Sequence, residues 1–140
     1  METSVNNKCR AFTSLEQSKK LADILPLESA DMVYIATADD YIGDTLYTAE
    51  IKSEIYISED DAERIINCWS LAALLNVIPQ EIFDGEYIIN ITEGCDDRWV
   101  LTYDHYENRN HSYFGLATGA DNLIDACYEM ILKLNKLNLL

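Results

Sequence analysis

Apolar residues recur at helical spacing near both ends of the chain. Ser14 and Gln17 form a capping-box pattern ahead of apolar positions that predict a helix from Leu15 to Leu25, directly before Pro26. The last predicted helix has Asn122 as its N-cap and carries the clearest amphipathic pattern in the chain. Its apolar stripe consists of Leu123, Cys127, Met130, Ile131, Leu134 and Leu137.

A third helical pattern lies in the middle of the chain. Ser58 precedes three acidic residues, which the helix dipole favours in a first turn. An apolar face continues through Ile65, Ile66 and Trp69. Ser70 could act as a second N-cap, so the pattern predicts either one kinked helix or two short helices between Glu59 and Ile78.

Runs rich in β-branched and aromatic residues predict strands in two regions. Asp31–Ala36 and Thr45–Ile57 flank a turn-rich stretch and predict a hairpin or small sheet. After Gly85, three short segments predict an antiparallel meander, which the last helix is expected to cover on one face. These segments are Glu86–Thr92, Arg98–Tyr106 and Ser112–Ala117.

The order of elements predicts an α+β fold, with an antiparallel meander, a small hairpin and helices packed on one side. A length of 140 residues with 49% hydrophobic composition suits a single compact domain over residues 1–140, with residues 1–12 expected to be flexible. No run approaches the roughly 20 apolar residues of a membrane span, and the start has no signal-peptide pattern. The four cysteines include no Cys-x-x-Cys pair. We therefore expect free thiols and a cytoplasmic location.

Acidic residues are concentrated in one segment. The chain has 25 acidic and 10 basic residues and a net charge of −15. Residues 31–61 hold nine acids and one base, Lys52, and so carry a charge of −8. Such a segment repels nucleic acid, which argues against direct DNA or RNA binding, and attracts basic protein surfaces. The alternative is a solvated face that serves only solubility.

Tyrosines alternate with the acids in this segment and favour a binding surface. Tyrosine supplies contact area at low entropic cost, and carboxylates pair with arginine in a bidentate manner. We therefore predict that residues 31–61 face a partner. The predicted contact residues are Asp39, Asp40, Tyr41, Asp44, Tyr47, Glu50, Glu54, Tyr56, Glu59, Asp60 and Asp61.

Candidate metal sites are poorly supported by the spacing of ligands. An EF-hand loop with Gly43 at position six would place Ala38, Ile42 and Ala49 where oxygen ligands are needed. The cysteines and histidines lack the close pairs of zinc sites. We therefore predict that the chain binds no metal and no cofactor.

A thiol enzyme is the other chemical alternative. It would pair Cys68 or Cys95 with His105 or His111, and Asp104 or Asn110 would orient the base: a cysteine nucleophile requires a base within hydrogen-bond reach. Nothing in the spacing demands that pairing, and a buried structural thiol explains Cys68 better. We therefore predict a protein that is not an enzyme.

Three parts of the chain carry a resemblance: residues 11–22 with 26–32, residues 68–76 and residues 125–135. They resemble a family of small uncharacterised proteins from phages and mobile elements of anaerobic gut bacteria. They hold the predicted helices, so the resemblance implies a shared scaffold. Residues 33–67 resemble the family least and carry the most acid, which implies a variable effector surface.

The length and charge of the chain are also similar to those of an anti-CRISPR inhibitor of type II effectors. This resemblance implies non-catalytic binding to a nuclease that holds nucleic acid in positively charged channels. An accessory protein is the alternative function. It would bind a small partner protein or form a homodimer, and its acidity would serve solubility.

Overall fold

A computed structural model describes residues 11–39, 45–56, 65–94 and 96–140. It contains three helices and two antiparallel sheets within these ranges, so the predicted α+β class is confirmed. No helix in the described part of the chain has the length and apolar character needed to cross a bilayer. The elements are α1 (Leu15–Ala22), β1 (Met32–Asp39), β2 (Thr45–Ile51), β3 (Ile65–Cys68), α2 (Leu71–Val77), β4 (Glu81–Ile82), β5 (Tyr87–Glu93), β6 (Trp99–His105), β7 (Thr118–Ala120) and α3 (Leu123–Lys136).

Internal contacts divide the described residues into a first unit, Phe12–Ala73, and a second unit, Leu74–Leu140 with Ala11, and the boundary falls within α2. The expectation of one domain stays a prediction. Residues 1–12 were predicted to be flexible. Of these, residues 1–10 lie outside the described residues, whereas Phe12 forms an isolated antiparallel bridge with Ser70.

Helix α1 begins with the predicted capping box. The backbone N–H of Gln17 donates to the Ser14 hydroxyl, and the Ser14 N–H donates to the Gln17 side chain. The helix ends at Ala22 rather than at Leu25. The backbone N–H groups of Asp23 and Ile24 donate to carbonyls three residues back, as in a tighter final turn. A proline at position 26 disfavours helical geometry in the residue before it, which is consistent with this early ending.

The sheet of the first unit has the strand order β2-β1-β3. The predicted hairpin is confirmed as β1 and β2, which pair antiparallel with a bulge between Ala36 and Ala38. Strand β2 ends at Ile51 rather than at Ile57, because Lys52–Glu54 forms a 3-10 helix. Ile65–Cys68 was predicted to be helical, and this is wrong: it forms β3 and pairs with β1. Two adjacent isoleucines fit either period, and β1 offers them an open edge. The remainder of the predicted helix start, residues 59–64, lies outside the described residues.

Helix α2 begins at Leu71, and Ser70 precedes it as the N-cap of the two-helix alternative. The Ser70 hydroxyl accepts the N–H of Ala73 at 3.2 Å, which is an N-cap bond. The Asp31 carboxylate in turn accepts the Ser70 backbone N–H at 2.9 Å and the Ser70 hydroxyl. The helix ends before Pro79, as predicted.

Trp69 is completely buried, and its polar groups are bonded within the first unit. Its backbone N–H donates to the Thr13 hydroxyl at 3.1 Å, and its carbonyl accepts the Thr13 N–H at 2.9 Å. Its indole N–H donates to the Ser29 hydroxyl at 2.9 Å. Ser29 ends a short 3-10 helix that precedes β1. Through its backbone and its side chain, this one residue joins three separate parts of the chain.

The second unit has a four-stranded sheet in the order β4-β5-β6-β7. Strands β5 and β6 confirm the first two segments of the predicted meander, and half-buried Trp99 pairs with Glu93 at one end. The prediction of a third strand at Ser112–Ala117 is wrong. It holds one isolated bridge from Ser112 and a turn around Gly115, whose φ is +92°, and the strand forms later as β7.

Helix α3 packs against β6 and β7, as expected. Its N-cap is Asn122, whose side chain accepts the Asp125 N–H at 2.8 Å. The predicted stripe is buried from Cys127 to Leu134, whereas Leu123 is half-buried and Leu137 follows the helix and is 46% exposed. The fully buried side chains of the helix are Ile124, Ala126, Cys127, Met130, Ile131 and Leu134.

Replacing Met130 or Leu134 by Ala is expected to lower the free energy of unfolding by about 2–5 kcal/mol, because each substitution empties a buried site. Urea denaturation of each variant measures the change. Glu129→Ala, at an exposed position of the same helix, is the control and should stay within about 0.5 kcal/mol of the parent. Equal midpoints for all variants would contradict the core position of α3.

Candidate functional site

The acidic segment 31–61 is described in part. Asp40, Tyr41, Asp44, Glu59, Asp60 and Asp61 lie outside the described residues. Asp39 ends β1, and its side chain is not described. The predicted contact residues whose side chains are described are Tyr47, Glu50, Glu54 and Tyr56.

Four residues at the end of β2 and just beyond it are exposed. Glu50 and Glu54 both face solvent, and Tyr56 is 90% exposed. Ile51, between the two acids, is 46% exposed. We call Glu50, Ile51, Glu54 and Tyr56, which are close in sequence, the β2 patch; as neighbours in a strand, Glu50 and Ile51 point to opposite faces of the sheet. It combines two carboxylates with apolar area within seven residues, which is the chemistry that the sequence predicted for a partner surface.

Tyr47 and Tyr34 occupy a different environment from Tyr56. Both are half-buried, and their rings meet edge to face with centroids 6.5 Å apart. Tyr34 also contacts Phe12 at 5.9 Å and donates its hydroxyl to the Thr13 carbonyl at 2.7 Å. These two tyrosines therefore contribute to packing in the first unit, and of the two only Tyr47 was a predicted contact residue.

Lys52, the basic residue of the acidic segment, is held by backbone carbonyls. Its ammonium group donates to Leu27 and Ala30, each at 3.2 Å. Burial lowers the pKa of Lys52, while Asp31 and other neighbouring groups act in the opposite direction. Asp31 itself is bonded to Ser70 at the start of α2. These two charges thus have structural roles, whereas Glu50 and Glu54 remain at the surface.

The two described thiols, Cys68 and Cys127, are completely buried. Burial raises the pKa of Cys127 to about 12. Burial and the charge of Asp31 raise the pKa of Cys68 to about 12, against an opposing effect of Lys52. A nucleophilic cysteine needs a lowered pKa and access to substrate, so these environments suit structural thiols. Cys68 lies in a strand rather than on the helix face that was predicted.

The histidines and Asp104, which a thiol enzyme would use, have other partners in the second unit. The Nδ1 atom of His105 accepts the backbone N–H groups of Glu107 and Asn108 at 3.2 and 3.4 Å. Buried Asp104 accepts the Ser112 hydroxyl at 2.7 Å. Cys95 lies outside the described residues. The bonds of His105 and Asp104 position the loop between β6 and β7.

Sequence reasoning missed an aromatic cluster centred on Tyr87. The Tyr87 ring contacts four others at centroid distances of 5.2–6.3 Å, and a sixth ring, Tyr106, stacks on His105 at 5.0 Å and 27°. We call these six residues the Tyr87 cluster: Phe83, Tyr87, His105, Tyr106, His111 and Tyr113. The sequence signal was the aromatic residues on both sides of the 107–110 loop and at the start of β5.

Two open clefts lie in the second unit. One, of about 410 Å³, is lined by Asp96, Arg98 and neighbouring residues, and Arg98 donates across it to the Gly119 carbonyl at 2.8 Å. The other, of about 210 Å³, is lined by Phe114, Lys133 and their neighbours. Among the described residues, no group of three or more His, Cys, Asp or Glu side chains is placed to hold a metal ion. Comparison with protein-family models, curated proteins and solved structures finds no match to this chain.

Cys68 and Cys127 are expected to resist alkylation in the folded protein, because both are buried and remain protonated at neutral pH. Iodoacetamide treatment at pH 8 followed by mass spectrometry of the peptides that contain them measures this. Both should react fully in guanidinium chloride, which serves as the control. Modification of either thiol in the native protein at the unfolded rate would contradict the buried placement.

The same two thiols predict an alkaline loss of stability. Their pKa is about 12 in the folded chain against an ordinary 9.0, so the folded state retains protons that the unfolded state releases. The stabilisation is complete below pH 9 and is lost as pH rises towards 12. Urea titrations across this window should show a smaller loss for a Cys68→Ala, Cys127→Ala variant. An unchanged pH dependence would contradict the assignment.

Proposed function

We propose that this chain is a non-catalytic inhibitor of an RNA-guided CRISPR nuclease of type II, and that its acidic segment covers a basic nucleic-acid-binding surface of that nuclease. The observation that carries the proposal is the β2 patch. Its two carboxylates and Tyr56 are exposed within a segment whose charge is −8 from nine acids and one lysine.

The chemistry of the patch suits an arginine-rich surface. Exposed carboxylates accept two parallel hydrogen bonds from a guanidinium group, and such charge-assisted bonds are stronger than neutral ones. Tyr56 adds an amphipathic ring with little side-chain entropy to lose. An RNA-guided nuclease presents arginines where it reads the PAM and lines its nucleic-acid channel with positive charge.

The local structure leaves the acids of the patch available. Lys52 directs its ammonium group to the carbonyls of Leu27 and Ala30. Both Glu50 and Glu54 are exposed in the free protein. Their attraction for a basic partner acts over about 8 Å at physiological ionic strength, which favours fast association that weakens with salt.

An accessory protein that forms a homodimer is the second candidate. In the described part of the first sheet, β2 lies at the outer edge beside β1, and Ile51 at its end is 46% exposed. An outer strand presents unpaired backbone groups that can pair with a strand of another molecule. In this case the acids would keep the protein soluble, and the strand edge would be the contact.

Reversing the charges of the β2 patch tests the proposal. In a Glu50→Lys, Glu54→Lys variant, inhibition of DNA cleavage by purified type II nucleases should weaken about tenfold or more, because like charges would meet in the complex. Inhibition by the parent should also weaken as salt rises from 50 to about 300 mM. Cleavage assays and gel filtration of the mixture measure both effects.

The matched control is Glu93→Lys, Glu129→Lys, which makes the same change in net charge at exposed positions of the second unit. This variant should inhibit within about twofold of the parent, since steering depends on where the charge lies. Equal losses of inhibition in both variants would show that net charge, and not its position, determines inhibition. If the parent forms no complex with any nuclease tested and elutes as a dimer, the accessory-protein function is favoured instead.

A further inference from the structure

The Tyr87 cluster is partly open to solvent. Tyr87 is 9% exposed at its centre, while Phe83 is 43% exposed and Tyr106 is 52% exposed at its margins. Phe83 contacts Tyr87 at 6.3 Å and Tyr113 at 5.1 Å. Phe83 and Tyr106 are therefore exposed aromatic rings, and each packs against another ring of the cluster.

The backbone holds Phe83 in an unfavourable conformation. Phe83, Asp84 and Gly85 have φ values of 54°, 56° and 87°, so three consecutive residues lie in the left-handed region. Glycine adopts this region freely and aspartate moderately well, whereas a bulky aromatic residue rarely does. Burial of an apolar ring in the core is favourable. This turn instead holds the Phe83 ring at the surface, where 43% of the residue is exposed.

Carboxylates lie beside Tyr106 and beside the turn that carries Phe83. The Tyr106 hydroxyl donates to Glu107 at 3.1 Å, and the charges of Glu107 and Glu86 both act to raise the pKa of Tyr106. The Glu81 carboxylate lies over the turn, about 3.6 Å from where a side chain at Gly85 would begin. Residues 81–87 and 105–113 together hold four acids and one base, Arg109.

We propose that the Tyr87 cluster binds arginine side chains of a partner polypeptide. A planar guanidinium group stacks on an aromatic face and can at the same time donate to adjacent carboxylates. Phe83 and Tyr106 supply exposed faces, and Glu107 and Glu86 supply acceptors beside Tyr106. Nucleic-acid bases also stack on aromatic rings, but these carboxylates repel phosphate, so an arginine-bearing polypeptide is favoured.

This site goes beyond the proposed function, because it lies in the second unit and does not require the partner to be a nuclease. The probe is an eight-residue peptide of alternating arginine and glycine, titrated into the whole protein at 150 mM salt. Lysine and citrulline versions of the peptide are compared with it. Amide NMR signals of Phe83, Tyr106 and Glu107 report where it binds. We expect arginine to bind at least about threefold tighter than lysine, and citrulline to bind most weakly.

Three variants separate the rings from the charges. A Phe83→Asn, Tyr106→Ser variant removes both exposed rings without changing charge, and asparagine tolerates a positive φ. Glu86→Gln, Glu107→Gln removes two charges beside Tyr106, and Glu93→Gln, Glu129→Gln removes two elsewhere in the second unit. The first two variants should each bind the arginine peptide at least about fivefold more weakly, while the last should stay within about twofold of the parent. Thermal unfolding verifies that each variant is folded.

Four results would overturn the proposal. They are unchanged affinity after removal of the rings, equal losses in the two glutamine variants, signal changes that lie outside the cluster, and tighter binding of a single-stranded oligonucleotide than of the arginine peptide. Binding of the peptide by a protein that forms no nuclease complex would uphold this site and count only against the proposed function. If the Glu50→Lys, Glu54→Lys variant loses nuclease inhibition but still binds the peptide, the β2 patch and the Tyr87 cluster bind independently of each other.

Discussion

The first unit depends on the burial of Trp69, because a buried tryptophan must have a partner for each of its polar groups. Thr13 bonds its backbone on both sides, and Ser29 bonds its indole N–H. An unpaired buried donor costs about 1–3 kcal/mol, so the segments that carry Thr13 and Ser29 are held to the junction between β3 and α2. Asp31 reinforces the same junction through Ser70. These hydrogen bonds therefore hold together the unit whose sheet carries the β2 patch.

Local chemistry made several features predictable from sequence. The capping box of Ser14 and the cap of Asn122 are determined by residues three positions away, and the apolar stripe of α3 repeats over a long helix. Burial of Met130 and Leu134 followed from that repeat. The class of fold could then be read from the order of such elements.

Features that depend on distant residues were not predictable in the same way. Ile65–Cys68 is a strand because β1 lies beside it, and the third strand of the meander begins at Thr118 because the chain first turns at Gly115. The candidate site shows the same division. The acids of residues 31–61 could be counted, but the exposure of Tyr56 and the packing of Tyr47 against Tyr34 required the fold. The Tyr87 cluster joins residues from both sides of a loop, and no local pattern brings them together.

The burial of Trp69 has a spectroscopic consequence, since the chain has two tryptophans and the structure places one in each unit. Trp69 is completely buried, whereas Trp99 is half-buried in β6. Replacing Trp99 by phenylalanine keeps the bonds of Trp69 and leaves it as the single tryptophan, so fluorescence excited at about 295 nm follows the first unit alone. A fluorescence unfolding curve that coincides with circular dichroism of the same protein would mark one cooperative transition, and separated curves would mark two. The chain thus carries an internal reporter for its own folding cooperativity.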